Sequence, residues 1–141
     1  MNTAMLLEGG EIFKDQAETS LTTRIRKEDI DPTLRWLEGI TGLDLVTNKL
    51  GSVGKKASSG DLDVAVDDAG MTKDELVARL GRWCLEHGVA QDQILNKPKK
   101  GATPAFRAGW ISKSGISVHF RAPILGDPDN GYVQVDFMFG D

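Results

Sequence analysis

The 141 residues are enough for one domain with a single core, and 40% apolar and 27% charged residues are typical of a globular protein. No apolar run approaches the ~20 residues that cross a bilayer, no signal peptide is recognisable, and a single cysteine excludes an internal disulfide. We therefore expect a protein of the reducing cytoplasm with no membrane partner, and the net charge of −4 argues against a dedicated nucleic-acid binder.

The first part of the chain predicts an extension, a helix and a strand. Residues 1–30 contain turn-forming glycines and a polar run, which predict an N-terminal extension or a loose hairpin. Asp31 followed by Pro32 is typical of a helix start, and apolar residues continue at helical spacing as far as Gly42. Residues 43–50 then predict a short strand.

The middle of the chain predicts a loop, a strand and a second helix. Residues 51–60 are rich in glycine and serine. The segment from Asp61 to Val66 alternates polar and apolar residues, as a half-buried strand does. Thr72 fits the N-cap of a capping box that begins a helix, and Cys84 on the apolar face of this helix is interpreted as a small core residue.

The last part of the chain predicts a hairpin and a final strand. A polar loop over residues 91–104 precedes two alternating segments that flank a turn at residues 113–115. The apolar residues that define these two segments are Phe106, Ala108, Trp110, Ile116, Val118 and Phe120. Tyr132 to Phe139 is the clearest strand. The order of elements predicts an α/β or α+β fold, with a small mixed sheet flanked by helices.

Three aspartates on the predicted strands are candidate metal ligands. Asp61 and Asp63, at positions i and i+2, project from one face of their strand about 6–7 Å apart along the chain. Asp136 lies on the face of the last strand opposite to its apolar residues. Carboxylates brought close together repel each other unless a cation lies between them, and such hard oxygen ligands suit Mg²⁺.

The loop before the first two aspartates is a candidate phosphate-binding segment. Gly51 allows the backbone to approach a phosphate closely, and Ser52 offers a hydroxyl donor. Lys55 and Lys56 add positive charge to the same loop. A Gly-Ser pair or an Asp-x-Asp motif alone is weak, but their combination with a third aspartate on a later strand is more specific.

Three motifs together resemble the signature of the DNA polymerase beta-like nucleotidyltransferase superfamily. They are Gly51-Ser52, Ser58 to Val64 with its Asp-x-Asp, and Val133 to Phe137. The resemblance covers residues 43–139, so residues 31–141 are expected to be a catalytic domain with the nucleotidyltransferase fold. The loop is one residue shorter than the polymerase version, and lysines stand where arginines are common.

The resemblance implies a reaction and a role for each residue. Asp61 and Asp63 would bind two Mg²⁺ or Mn²⁺ ions, and Asp136 would complete the site of the ion next to the attacking hydroxyl. Gly51 and Ser52 would hold the terminal phosphates of a nucleoside triphosphate (NTP). The implied reaction is transfer of a nucleoside monophosphate from the NTP to an acceptor hydroxyl.

Charge distribution bears on the acceptor. Residues 93–126 contain no acid and carry a charge of +6, which leaves −10 for the rest of the chain. The basic residues are Lys97, Lys99, Lys100, Lys113, Arg107 and Arg121. This stretch favours a nucleic-acid 3′ end as the acceptor, and Trp110 within it has base stacking as an alternative to core packing. A solvated hairpin with a chance charge bias is the other interpretation.

Several alternatives stay open. Asp61 and Asp63 also fit an exposed strand edge protected by charge. The chain is either an enzyme or a nucleotide- or protein-binding module without turnover, and an enzyme could transfer to protein or to a small molecule instead. His87 and His119 are interpreted as structural or solvent-exposed residues. The chain is expected to be a minimal form of the domain, to need a partner subunit or to be part of a longer protein, and each of these would hide the determinants of acceptor specificity.

Overall fold

A computed structural model describes residues 12–15, 17–51, 53–96 and 108–140. A four-stranded sheet is the centre of the fold. Its strands are β3 (Asp61–Asp67), β4 (Ile111–Ser114), β5 (Ser117–Pro123) and β6 (Tyr132–Gly140). Two short strands, β1 (Ile25–Arg26) and β2 (Ser58–Ser59), form a separate pair. The strand order is β3-β6-β5-β4, and only the β3–β6 pair is parallel. The expected mixed sheet is therefore confirmed.

Helices α1 (Lys27–Thr41) and α2 (Lys73–Glu86) cover one face of this sheet. The alternate apolar residues of β3, β5 and β6 form a single buried cluster with the apolar faces of both helices; representative members are Leu34, Leu37, Leu62, Val64, Leu76, Leu80, Val118, Val135 and Phe137. Thr72 caps α2 by accepting the Glu75 N–H, and Cys84 is fully buried, as predicted. No helix in the described part of the chain is long and apolar enough to cross a bilayer.

The first helix begins at Lys27, so the predicted start at Asp31 is wrong. The apolar stripe extends one turn further upstream, because Ile30 is only 1% exposed. Pro32 is the sixth residue of the helix, and its missing N–H deprives only the Glu28 carbonyl of an intrahelical partner. Core burial of the first turn thus outweighs the local preference for proline at the helix start.

The predicted strand over residues 43–50 is also wrong. Residues Val46–Asn48 form a 3₁₀ turn, and the Glu38 carboxylate accepts hydrogen bonds from the N–H groups of Leu45 (2.8 Å) and Val46 (3.1 Å). Only Lys49 makes a bridge to the sheet, opposite Val64. Here a carboxylate of the preceding helix accepts the hydrogen bonds of backbone N–H groups that would otherwise pair with a neighbouring strand. The alternation of apolar residues does not predict such a contact.

The predicted hairpin exists but is shorter than expected. Ser114 pairs with Ser117 across a two-residue turn, in which Gly115 has a φ of +54°. Ile116 lies in this turn and is 64% exposed, so its prediction as a strand core residue is wrong. The first strand begins only at Ile111, and Phe106 lies outside the described residues.

Near the start of the described residues, an antiparallel bridge joins Lys14 and Ser20. This segment is attached to the sheet at two points. The Ile12 N–H donates to Gln134 Oε1 (3.0 Å), and the Thr23 N–H donates to the Tyr132 carbonyl (2.7 Å). The first of these contacts reaches the face of the sheet that the helices do not cover.

Candidate functional site

The face of the sheet opposite the helices carries polar side chains in transverse rows, since paired residues on neighbouring strands point to the same side. In one row, Asp63 of β3 pairs with Asp136 of β6, which pairs with His119 of β5. In the adjacent row, Asp61 pairs with Gln134. The three aspartates selected from the sequence therefore lie side by side on two parallel strands.

One oxygen from each of Asp61, Asp63 and Asp136 lies within 4.8 Å of the other two. Asp136 is 7% exposed, and the other two carboxylates are half-buried. Around an octahedral Mg²⁺ with bonds of about 2.1 Å, ligand oxygens are separated by roughly 3–4 Å. The triad, as we name these three aspartates, thus has the ligand type and spacing that fit a divalent cation after small adjustments.

Ionisation of all three carboxylates of the triad is unfavourable unless a cation is bound. Burial, together with a hydrogen bond to Asp136 and its charge, raises the pKa of Asp61 to about 7 and that of Asp63 to about 6. Burial also acts to raise the pKa of Asp136, but hydrogen bonds from His119 and Asp61 outweigh it and hold this pKa below its ordinary value. A divalent cation would favour the ionised form of all three carboxylates.

Asp136 is held in place by a hydrogen-bond network. Its Oδ1 lies 2.6 Å from His119 Nδ1 and accepts a hydrogen bond from Gln134 Nε2 at 2.8 Å. His119 Nε2 is in turn 2.9 Å from the Ser117 hydroxyl. Gln134 Oε1 accepts a hydrogen bond from the Ile12 N–H. Two hydrogen-bond partners at Oδ1 fix the orientation of the Asp136 carboxylate, as outer hydrogen bonds do for ligands in metal sites.

His119 and Gln134 are functional candidates that the sequence analysis missed. Of the two interpretations of His119 from the sequence, the solvent-exposed one is wrong, because the residue is 9% exposed and its ring takes part in the network around Asp136. The only sequence signal was that both residues fall on the polar phase of their strands. His87, in contrast, ends α2 and stacks on Trp83, as expected of a structural residue.

The predicted phosphate-binding loop begins beside the triad. The Leu50 N–H donates to the Asp63 carbonyl at 2.9 Å, which joins the chain entering the loop to β3. Gly51 is exposed and has a φ of +61°, a left-handed conformation that favours glycine. Lys55 and Lys56 are exposed. Ser52 lies outside the described residues.

The predicted basic stretch over residues 93–126 is described only in part. Lys113 forms an ion pair with Asp74 at 2.6 Å, on the side of the helices. Arg121 is half-buried on the polar face, where its guanidinium packs on Trp110, so one surface of this indole is already covered. The remaining basic residues lie outside the described residues; they are Lys97, Lys99, Lys100 and Arg107.

Comparison of this chain with family models, with curated proteins and with solved structures finds no match. The chemistry of the site therefore has to be argued from its own residues. Three crowded carboxylates, one of them oriented by a buried network, could hold a divalent cation beside a glycine-containing loop.

Proposed function

We propose that this chain is a metal-dependent nucleotidyltransferase, which moves a nucleoside monophosphate from an NTP to an acceptor hydroxyl. The observation that carries the proposal is the convergence of Asp61, Asp63 and Asp136, residues 75 positions apart at the extremes, within 4.8 Å. The proposal is further supported by the start of the loop, where the Leu50 N–H donates a hydrogen bond to the Asp63 carbonyl. An exposed strand edge protected by charge does not need a third, buried carboxylate in contact with the other two.

Each residue has a distinct part in the proposed reaction. Asp61 and Asp63 would hold two Mg²⁺ or Mn²⁺ ions, and Gly51, Ser52, Lys55 and Lys56 would bind the terminal phosphates of the NTP. When bound, such ions acidify the acceptor hydroxyl and neutralise the departing pyrophosphate. Asp136 is the carboxylate beside the acceptor hydroxyl. The network of His119 and Gln134 keeps it ionised and oriented.

The proposal includes a cellular setting and an acceptor class. A cytoplasmic location agrees with the supply of NTP and with the buried thiol of Cys84. The acceptor that we favour is a nucleic-acid 3′ end, with protein and small-molecule hydroxyls as the other arms of the test. A further domain or a partner subunit would contribute acceptor specificity.

The test is a label-transfer assay. The protein is incubated with each α-labelled NTP and Mg²⁺ or Mn²⁺, and with short RNA, short DNA or total cell protein as acceptor. An Asp61→Asn/Asp63→Asn double variant removes two ligands, and Asp68→Asn is the matched control, because Asp68 is exposed beyond the end of β3. We expect label to enter one acceptor class with the wild type and with the control, and not with the double variant.

The negative outcomes have separate meanings. Metal-dependent NTP binding without transfer to any acceptor would favour a binding module over an enzyme. If NTP failed to bind in the presence of Mg²⁺ and Mn²⁺, or if the double variant transferred label as well as the wild type, the nucleotidyltransferase proposal would be rejected.

A further inference from the structure

Arg121 occupies an unusual environment next to the triad. It lies on the polar face of β5, and its guanidinium carbon is 4.1 Å from the centroid of the Trp110 ring and 4.3 Å from that of Tyr132. These two rings meet edge to face with their centroids only 5.1 Å apart. Two rings on opposite faces of the cation would be much further apart, so the guanidinium lies in the corner between them, and Arg121 as a whole is only half-buried.

The guanidinium has no counter-charge among the described residues. Its Nε is buried without a hydrogen-bond partner, and no described carboxylate forms an ion pair with it. Burial lowers the pKa of Arg121, but an arginine remains charged at neutral pH. A desolvated cation without an anion is unfavourable, and an incoming anion would remove this penalty.

The position of Arg121 relative to the triad indicates which substrate supplies the anion. Arg121 shares a row with Gln134 and Asp61, two strand spacings or about 10 Å from the latter. The loop proposed to bind the NTP phosphates enters on the opposite side, beside β3, through the contact between Leu50 and Asp63. The strand of Asp136 lies between, so Arg121 is on the acceptor side of the site.

We propose that Arg121 binds a phosphate group of the acceptor, next to the hydroxyl that receives the nucleotide. This inference rests on the proposed function for the assignment of sides. A guanidinium fixed by two aromatic rings presents its N–H groups in one plane, which suits two oxygens of one phosphate. A nucleic-acid 3′ end fits this arrangement, because its terminal nucleotide carries a phosphodiester close to the free 3′ hydroxyl.

The experiment measures binding of a fluorescein-labelled single-stranded octanucleotide by anisotropy, without NTP or divalent metal. A matched octanucleotide carries a neutral methylphosphonate at its 3′-terminal linkage. Arg121→Gln removes the charge, whereas Arg121→Lys keeps a cation on the rings and guards against loss of folding. Arg82→Gln is the control, since Arg82 is an exposed arginine on the helix layer.

We expect Arg121→Gln to weaken octanucleotide binding by about tenfold or more, and to lower the slope of log affinity against log salt by about one. Arg121→Lys is expected to be intermediate, and Arg82→Gln to bind like the wild type. The neutral linkage should weaken binding by the wild type but not further weaken binding by Arg121→Gln, because both changes remove the same contact.

The inference is overturned if the wild type does not bind the octanucleotide, if Arg121→Gln binds it as well as the wild type, or if Arg121→Gln still discriminates against the neutral linkage. It is also overturned if a parallel measurement with ATP and Mg²⁺ shows that the variant loses only ATP affinity. Failure of the proposed function is a different result, because label transfer and its Asp61→Asn/Asp63→Asn control do not enter the metal-free binding assay.

Discussion

Replacing Asp61 by Asn is expected to stabilise the protein at neutral pH when no divalent metal is present. In the folded chain the pKa of Asp61 rises from its ordinary 3.8 to about 7, because of burial first and of Asp136 second. At about 1.4 kcal/mol per pKa unit this corresponds to about 4 kcal/mol for an enclosed group. Asp61 is half-buried, and solvent screening reduces the cost to about 1–2 kcal/mol, or roughly 3–8 °C in Tm.

The pH dependence of this effect has a definite sign. Between pH 4 and pH 7 the folded chain keeps a proton on Asp61 that the unfolded chain has lost, so the free energy of unfolding falls as pH rises through this window. Asparagine removes that slope and donates a hydrogen bond as a protonated carboxyl does. Asp136 does not contribute to the slope in this window, because its lowered pKa changes the free energy of unfolding only as pH falls below the ordinary value of 3.8.

The assay is urea denaturation of the wild type and Asp61→Asn in EDTA at pH 5.0 and 7.5, repeated at pH 7.5 with Mn²⁺. We expect the variant to exceed the wild type in stability by the full amount at pH 7.5 in EDTA, by less than half of that amount at pH 5.0, and not at all with Mn²⁺. Mn²⁺ at about 100 times its Kd should raise wild-type stability by about 2.7 kcal/mol, and much less in the variant. Asp68→Asn is the control. A variant less stable than the wild type at pH 7.5 in EDTA would refute the reasoning.

Three further predictions concern other parts of the chain. His119→Ala should weaken Mn²⁺ binding by about 10–100-fold in calorimetry, and His119→Asn, whose amide N–H can take the position of Nδ1, by less; equal affinities would show that the contact does not orient the ligand. Cys84, fully buried with its pKa raised to about 12, should react with a thiol reagent only on unfolding, so rapid labelling of the native protein would contradict its burial. Gly126→Ala should lower the free energy of unfolding by about 1–3 kcal/mol, because a Cβ would lie 2.6 Å from Trp36 Nε1, whereas Gly39→Ala in an open helical position should raise it by up to about 1 kcal/mol; a reversed order in thermal melts would be inconsistent with this packing.

Elements whose signal is local could be predicted from the amino-acid sequence alone. The alternation in residues 61–66 and 132–139 predicted β3, β6 and the faces on which their side chains lie, because residues two apart in a strand point the same way. The N-cap of α2 at Thr72 depends on a bond to a residue three positions away, so it was predictable too. The choice of the three aspartates followed from the same alternation.

The way in which these elements meet depends on contacts between distant parts of the chain. The pairing of Asp63 with Asp136 depends on strand register between distant segments, which no short-range pattern encodes. The same holds for the positions of His119, Gln134 and Arg121 relative to the three aspartates, because these positions depend on the register between β5 and β6. The sequence-based errors near Pro32 and residues 43–50 have a related cause: burial of Ile30 and capping by Glu38 are contacts outside the local pattern, and they outweigh its preferences.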